Sequence, residues 1–313
     1  MGKSIFRLDD LKKEILSFRE DGLKRGGYCG FPDFHNYYSM KKGSTTYIAA
    51  PAAVGKSEFV KELMINTAAF ENWNWVIFSP ETGSPKDVFA DLLWGYIGKP
   101  IVRGSGFESA TDKEVGAGMK FINDHFFVLD VGVKDLNVST YFNEIRELVE
   151  SGEHVDATLI DPVTEMDIYS GGGARDIELG KFLTGIRRMS GAYNIHSVLV
   201  FHTKSVGLKQ TKDIYGKDIR YYPPPQMDDI AGGLQSSRKG FFILGLWRPP
   251  LNVINPDTEQ PYERNALYVE VLKAKPKAIG KTGVSVFKYN PLSTRFTDSS
   301  GLGARPLDEK IPF

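Results

Sequence analysis

Eight short runs of aliphatic, aromatic and β-branched residues punctuate the chain: TTYIAA (45–50), WVIFS (75–79), FFVLD (126–130), ATLID (157–161), SVLVF (197–201), FFILGL (241–246), LYVEVLK (267–273) and VSVFKYN (284–290). Several show no polar alternation, so neither face suits water, and they read as strands buried on both sides. Between the earlier runs lie helical patterns at 57–70, 85–97, 137–151 and 175–192. Strand, helix and strand in succession predict an α/β domain: a mostly parallel twisted sheet with helices on both faces. The last two runs have no helix between them, which predicts a C-terminal antiparallel extension.

Ahead of this pattern, Leu8, Leu11, Ile15, Leu16 and Phe18 recur every three to four residues, and Gly26, Gly27 and Gly30 follow. That spacing predicts an amphipathic helix. The expected layout is a helical arm over 1–29, one α/β domain over 30–298 and a short tail over 299–313. The 39 basic and 39 acidic residues cancel, so any attraction for a polyanion has to be local. The single cysteine, Cys29, excludes a disulfide framework and a multi-cysteine zinc site, suits a reducing compartment, and reads as a small buried hydrophobe. No N-terminal apolar run is long enough for a signal peptide or membrane span, so the expectation is a cytoplasmic protein without membrane contact.

The stretch AAPAAVGKSEF (49–59) carries the sharpest chemistry. The phosphate-binding pattern G-x-x-x-x-G-K-[ST] asks for glycine where Ala50 stands, yet Gly55, Lys56 and Ser57 are in place between a strand run and a helical one. Residues Ala50, Pro51, Ala52, Ala53, Val54, Gly55, Lys56, Ser57 and Glu58 form the expected cradle for ATP. In such a loop backbone N–H groups and a helix N-terminus surround the phosphates. The lysine reaches the β and γ oxygens and the hydroxyl ligates Mg2+. Lys56 and Ser57 take those roles.

Hydrolysis needs further groups. ATLIDP sets Asp161 at the end of an apolar run, where a second magnesium-side carboxylate belongs. VIFSPE sets Glu81 just past another run, and parallel strands bring their C-terminal ends to one edge. A carboxylate there can take the proton of an attacking water. SVLVFH brings His202 to the same edge, where an imidazole can contact the γ-phosphate or relay its state.

With these elements in order, the chain resembles the RecA-fold ATPase domain of DnaB-type hexameric replicative helicases, phage and mitochondrial members included. The likeness runs from GFPDFHNYYSMKKGSTTYIAAPAAVGKSEF through FSPET, TLIDPVTEM and VLVFHTK to LYVEVLKAKPKAIGKTGVSVFKYNPLSTRFTD. It implies a RecA-like P-loop core in a hexameric ring that uses ATP and Mg2+ to translocate on single-stranded DNA and unwind duplex in replication. The arm would pack on the adjacent subunit. In that family Glu81 matches the catalytic base, His202 the γ-phosphate sensor, and alanine stands where Ala50 does. A Lys-x-Arg pair reaches into a neighbour's ATP; here LKAKPK offers Lys273 and Lys275 instead. Lysine is a point charge without arginine's planar fork, and Lys-x-Lys resembles the paired lysines of RecA recombinases. A RecA-, RadA- or KaiC-like ATPase therefore stays open as an alternative, as does a DNA-binding scaffold or loader that does not unwind.

A ring would turn two loops toward its channel. YSGGGARD (169–176) allows close backbone approach. KSVGLKQTKDIYGKDIRYYPPPQMDDIAGG (204–233) offers Lys204, Lys209, Lys212, Lys217 and Arg220 among Tyr215, Tyr221 and Tyr222, and closes on Gly232 and Gly233. Cations that track phosphates and rings that stack on bases suit a single strand, and a loop of this length is expected to be functional. The terminal LDEKIPF resembles the tip of bacterial single-strand-binding proteins and implies docking of replication proteins through its last ring and carboxylate. For a phage-encoded chain the site of action is the cytoplasm of a bacterial host.

Overall fold

The eight apolar runs become strands, and all of them join one sheet. The computed structural model describes residues 5–22, 25–104, 106–130, 137–168, 175–203, 207–276 and 279–299. Its strands are β1 (Thr45–Ala50), β2 (Trp75–Phe78), β3 (Phe126–Val128), β4 (Ala157–Ile160), β5 (His196–His202), β6 (Lys209–Lys212), β7 (Asp218–Tyr221), β8 (Phe242–Trp247), β9 (Ala266–Lys273), β10 (Gly283–Asn290) and β11 (Arg295–Thr297). A nine-stranded sheet runs β11-β10-β9-β8-β1-β5-β4-β2-β3, while β6 and β7 pair separately. From β8 to β3 the pairing is parallel. From β8 outward to β11 it is antiparallel, so the predicted extension gains one strand too short to show a pattern.

The lack of polar alternation has a simple cause. Tyr47 and Ala49 of β1 belong to one apolar cluster, with Leu199 and Phe201 of β5; Ile48 and Ala50 belong to another, with Val198 and Val200. Both faces of the strand exclude water. The helices are α1 (Lys12–Asp21), α2 (Pro32–His35), α3 (Lys56–Glu71), α4 (Pro85–Ile97), α5 (Asp112–His125), α6 (Val138–Glu150), α7 (Arg175–Tyr193) and α8 (Gly233–Ser237). Apolar side chains of α3, α4 and α5 complete the Ile48 face, and those of α6 and α7 the Tyr47 face. Each fully buried Leu, Ile or Phe contributes about 1.5–3 kcal/mol, so the two layers set the orientation of every strand end.

α5 is absent from the predicted helices because DKEVGAGMKFINDH holds two glycines and few apolar side chains. Its start is nonetheless well specified. Thr111 Oγ1 accepts the Glu114 N–H at 3.2 Å, and the Glu114 carboxylate accepts the Thr111 N–H at 2.7 Å, a capping box. Gly118 permits close packing on α4, since a Cβ there would collide with Leu93.

Over 12–20 of α1 every residue is exposed, Ile15, Leu16 and Phe18 included, and so are Leu8 and Leu11 just ahead of it. From Gly26 the chain joins the body: its N–H reaches Ser39 Oγ, and the Tyr28 N–H reaches the Glu71 carboxylate. Cys29 is fully buried, and burial pushes its thiol far above the usual range, as a small hydrophobe requires. The segment expected as one long loop is folded instead. KQTK and DIRY pair as a hairpin whose turn is fixed by Asp213 Oδ1, which accepts the N–H groups of Tyr215 and Lys217 at 2.9 and 2.8 Å. An Asx-type turn between two alternating four-residue runs is a hairpin signal. No described helix is long and apolar enough to cross a membrane.

Candidate nucleotide site

Adjacent strands β1, β5, β4 and β2 end on the same edge of the sheet. Ala50 lies opposite His202 in the register. Asp161 follows β4 directly and donates its N–H to the Phe78 carbonyl of β2 at 2.9 Å. Glu81 stands three residues past β2. The four positions named from the sequence thus lie along one edge, as parallel topology requires.

Ala50 is an ordinary buried strand residue whose carbonyl accepts the Thr203 N–H at 3.2 Å. No left-handed backbone is needed there, so alanine serves as well as glycine. The bend lies further on, at Ala53 (φ 59°) and Gly55 (φ 96°). Ala53 is in the left-handed region, which costs a non-glycine residue roughly 1 kcal/mol or more and persists where the surroundings impose it. Gly55 caps the N-terminus of α3, and Lys56, the first residue of that helix, is buried with 7% exposure. Ser57 is exposed beside it. The Glu58 carboxylate is already engaged, by Lys61 Nζ at 2.7 Å and the Tyr289 hydroxyl at 3.3 Å.

Asp161 is 2% exposed. Burial raises its pKa; a hydrogen bond from Ser57 and the charge of Lys56 work against that rise. Its Oδ1 is buried with no hydrogen-bond partner among the described residues. An orphaned buried carboxylate oxygen is costly to maintain, and a hard cation would satisfy it. No cluster of three His, Cys, Asp or Glu side chains able to hold a metal exists among the described residues. One hydroxyl, one carboxylate and the oxygens of a bound phosphate chain suit Mg2+, which is seldom held by an all-protein cage. The donor set fits that ion.

His202 Nε2 lies 3.2 Å from Glu81 Oε1, with both side chains partly exposed. An N–H at Nε2 donates to the carboxylate whether or not the ring is charged. The pair leaves a carboxylate at the mouth of the edge, oriented from the next strand but one.

Lys273 is the last residue of β9, and Lys275 follows just past it. The Lys273 ammonium donates to the carbonyls of Ser237 and Arg238, at 2.7 and 3.1 Å, where α8 ends. Burial, then the charges of Lys275 and Arg187, brings its pKa down to about 8. Lys275 is exposed.

Two groups near the loop went unnamed in the sequence reading. Arg248, one residue past β8, brings a guanidinium nitrogen within 3.3 Å of where a Cβ on Gly55 would lie. Tyr289 of β10 reaches Glu58, as above. The strand-end logic that found Asp161 and His202 extends to FFILGLWR and finds Arg248; nothing comparable marks Tyr289, on an antiparallel strand.

Of the expected nucleic-acid contacts, Lys209 and Lys212 are on β6, Arg220 is on β7, and Lys217 sits at the hairpin turn, all exposed. Gly232 and Gly233 lie apart from them at the start of α8, with φ 79° and 59°. Lys204, the glycines of 169–174 and the tail from 300 to 313 are outside the described residues.

No family profile matches the chain. Over 208 residues, 64% of its length, it is 24% identical to the chloroplastic/mitochondrial Twinkle homolog protein of Arabidopsis thaliana, and it spans only 29% of that protein. Among solved structures it resembles an ATPase domain with a TM-score of 0.71, at 14% identity and with 94% and 99% of the two chains covered. It also resembles a DnaB-like replicative helicase, described with its primase interactions, with a TM-score of 0.69, 13% identity and coverage of 94% and 67%. The chain has the RecA-like fold of DnaB-like helicase ATPase domains: a mainly parallel sheet with antiparallel C-terminal strands.

Proposed function

We propose that this chain is the ATP-hydrolysing motor of a ring-forming DNA helicase, acting in replication on single-stranded DNA, within an α/β domain over 30–298. The observation that carries the reading is the convergence of the loop 50–58, the orphaned Asp161 oxygen and the Glu81–His202 pair on neighbouring strand ends. Backbone N–H groups of the loop and Lys56 bind the β- and γ-phosphates of ATP. Ser57 and Asp161 hold Mg2+, which when bound neutralises charge developing on those oxygens. Glu81, steadied by His202, takes the proton of the attacking water.

The exposed apolar stripe of α1 supports an arm that packs on an adjacent subunit of a hexamer, because a single chain leaves that stripe in water. Lys275, exposed just past β9, is then the group that reaches a neighbour's ATP. Single-stranded DNA engages the basic hairpin and Gly232–Gly233, and the 299–313 tail docks a replication protein. The working place is the cytoplasm, of a bacterial host if the chain is phage-encoded.

The test is strand displacement on a forked duplex with Mg2+ and ATP, alongside phosphate release. Unwinding by the wild type, lost in Lys56→Ala and Glu81→Gln, is expected. Hydrolysis without displacement would instead favour a recombinase-type ATPase or a scaffold, and no hydrolysis at all would overturn the reading.

A further inference from the structure

The hairpin presents two unlike faces. In the register Lys209 opposes Tyr221 and Thr211 opposes Ile219, so these four share one face; Gln210 with Arg220 and Lys212 with Asp218 share the other. Thr211, Ile219 and Tyr221 are half-buried, whereas Gln210, Lys212, Arg220 and Asp218 are exposed. One side of the hairpin therefore faces the protein.

What it faces is the phosphate loop. A cavity of about 520 Å³ is bounded by Pro51, Ala53 and Val54 of that loop, by Lys217, Arg220 and Tyr221 of the hairpin, and by Arg248. The hairpin is held there at both ends: the Ile214 N–H donates to the Asn252 carbonyl at 2.8 Å, and Trp247 Nε1 donates to the Tyr222 carbonyl at 2.7 Å. Asp213 fixes the turn and sets the backbone of Lys217 directly. Among the described residues Lys217 makes no ion pair, and its exposed side chain borders the same open cavity as the loop that the nucleotide reading assigns to phosphates. A volume of this size is in the range of small-ligand sites.

We propose that the β6–β7 hairpin is a lid on the nucleotide site of its own subunit, with Lys217 binding phosphate oxygens of a nucleoside triphosphate seated on residues 50–58. This rests on the nucleotide-site reading above. It divides the basic residues of the hairpin: Lys217, on the cavity, goes to the nucleotide and Lys212, on the outer face, to the DNA strand, while Arg220 borders both. The two ligands then meet on opposite sides of one two-stranded element.

The test is equilibrium binding of a fluorescent ATP analogue with Mg2+ and without DNA, to the wild type and to Lys217→Ala, Lys217→Arg, Lys120→Ala and Lys56→Ala, with oligothymidylate binding measured in parallel. Loss of one charge-assisted contact weakens affinity about tenfold. Lys217→Ala is expected to lose that much, Lys217→Arg to keep most of it, and Lys120→Ala, a remote exposed lysine of α5, to match the wild type. Nucleotide affinity unchanged in Lys217→Ala overturns the lid, whatever happens to oligothymidylate. If the wild type fails to bind the analogue, or Lys56→Ala binds it equally well, the nucleotide reading falls and the lid with it.

Discussion

The C-terminal ends of β1, β2, β4 and β5 and the end of β9 both carry charged groups singled out from the sequence, but the fold treats them oppositely. On the parallel edge, Asp161 Oδ1 is buried without a partner among the described residues and Lys56 is buried at the start of a helix. At the end of β9, the Lys273 ammonium already holds two carbonyl oxygens where α8 ends. The first arrangement costs stability that a ligand would return; the second is satisfied within one chain. Residues of the two regions should therefore fail in different ways, the first in activity and the second in folding.

The widest separation is expected for Lys56→Ala and Glu81→Gln. Removing a group that meets charge or a proton in the transition state typically costs about 10²–10³ in turnover. Glu81 is only partly buried and its carboxylate bonds His202, so its amide should leave thermal stability unmoved. Steady-state ATPase rates beside melting curves check this. A fall in melting temperature matching the loss of activity would erase the distinction between the regions.

Most of the parallel edge is legible in the sequence because its signals are local. GKS between a strand and a helix, and Asp161, Glu81 and His202 at the ends of apolar runs, need only the rule that parallel strands end together. Ala50 looks like a defect only because the general motif draws its glycine where this chain still has ordinary strand backbone; the left-handed turn falls at Ala53 and Gly55. Lys273 differs in kind rather than in place: sequence shows a cation at a strand end but not the Ser237 carbonyl, 36 residues earlier, that occupies it. α5 is hidden by its glycines, one of which, Gly118, is what lets it lie close to α4. The hairpin reads as loop because its strands are polar on one face, and on the other Ile219 and Tyr221 border a cavity beside residues 51–54 rather than joining a core cluster.

Asp161→Asn sharpens the comparison from the stability side. Burial raises the Asp161 pKa, so its charged form is less favourable in the folded chain than in the unfolded one, and the amide removes that cost while still accepting from Ser57. The ligand-free variant should melt at or above the wild type. A nucleotide at a hundred times its dissociation constant adds about 2.7 kcal/mol, worth several degrees in a domain of this size; this increment should appear with Mg2+ and ATP in the wild type and largely vanish in the variant. Calorimetry with and without Mg2+–ATP measures both. A ligand-free variant that melts well below the wild type would mean that Asp161 is a structural carboxylate.

The smallest effect belongs to Lys273. Substitution by methionine removes two hydrogen bonds to the end of α8, each worth about 0.5–1.5 kcal/mol net, while Lys275→Ala leaves both in place and should cost activity alone. The pH dependence separates a clamp from a mere surface cation. With its folded-state pKa lowered to about 8, Lys273 releases its proton in the folded chain while the unfolded chain keeps its own up to the usual lysine range. The unfolded state then binds more protons, so stability from this residue rises between about pH 8 and that range. A neutral amine still has two N–H groups for its two carbonyls, whereas methionine has none at any pH. Urea denaturation at pH 7 and pH 10 should find the gap between wild type and Lys273→Met wider at the higher pH, and a gap that closes instead would show that the ammonium charge, not the clamp, is what β9 contributes.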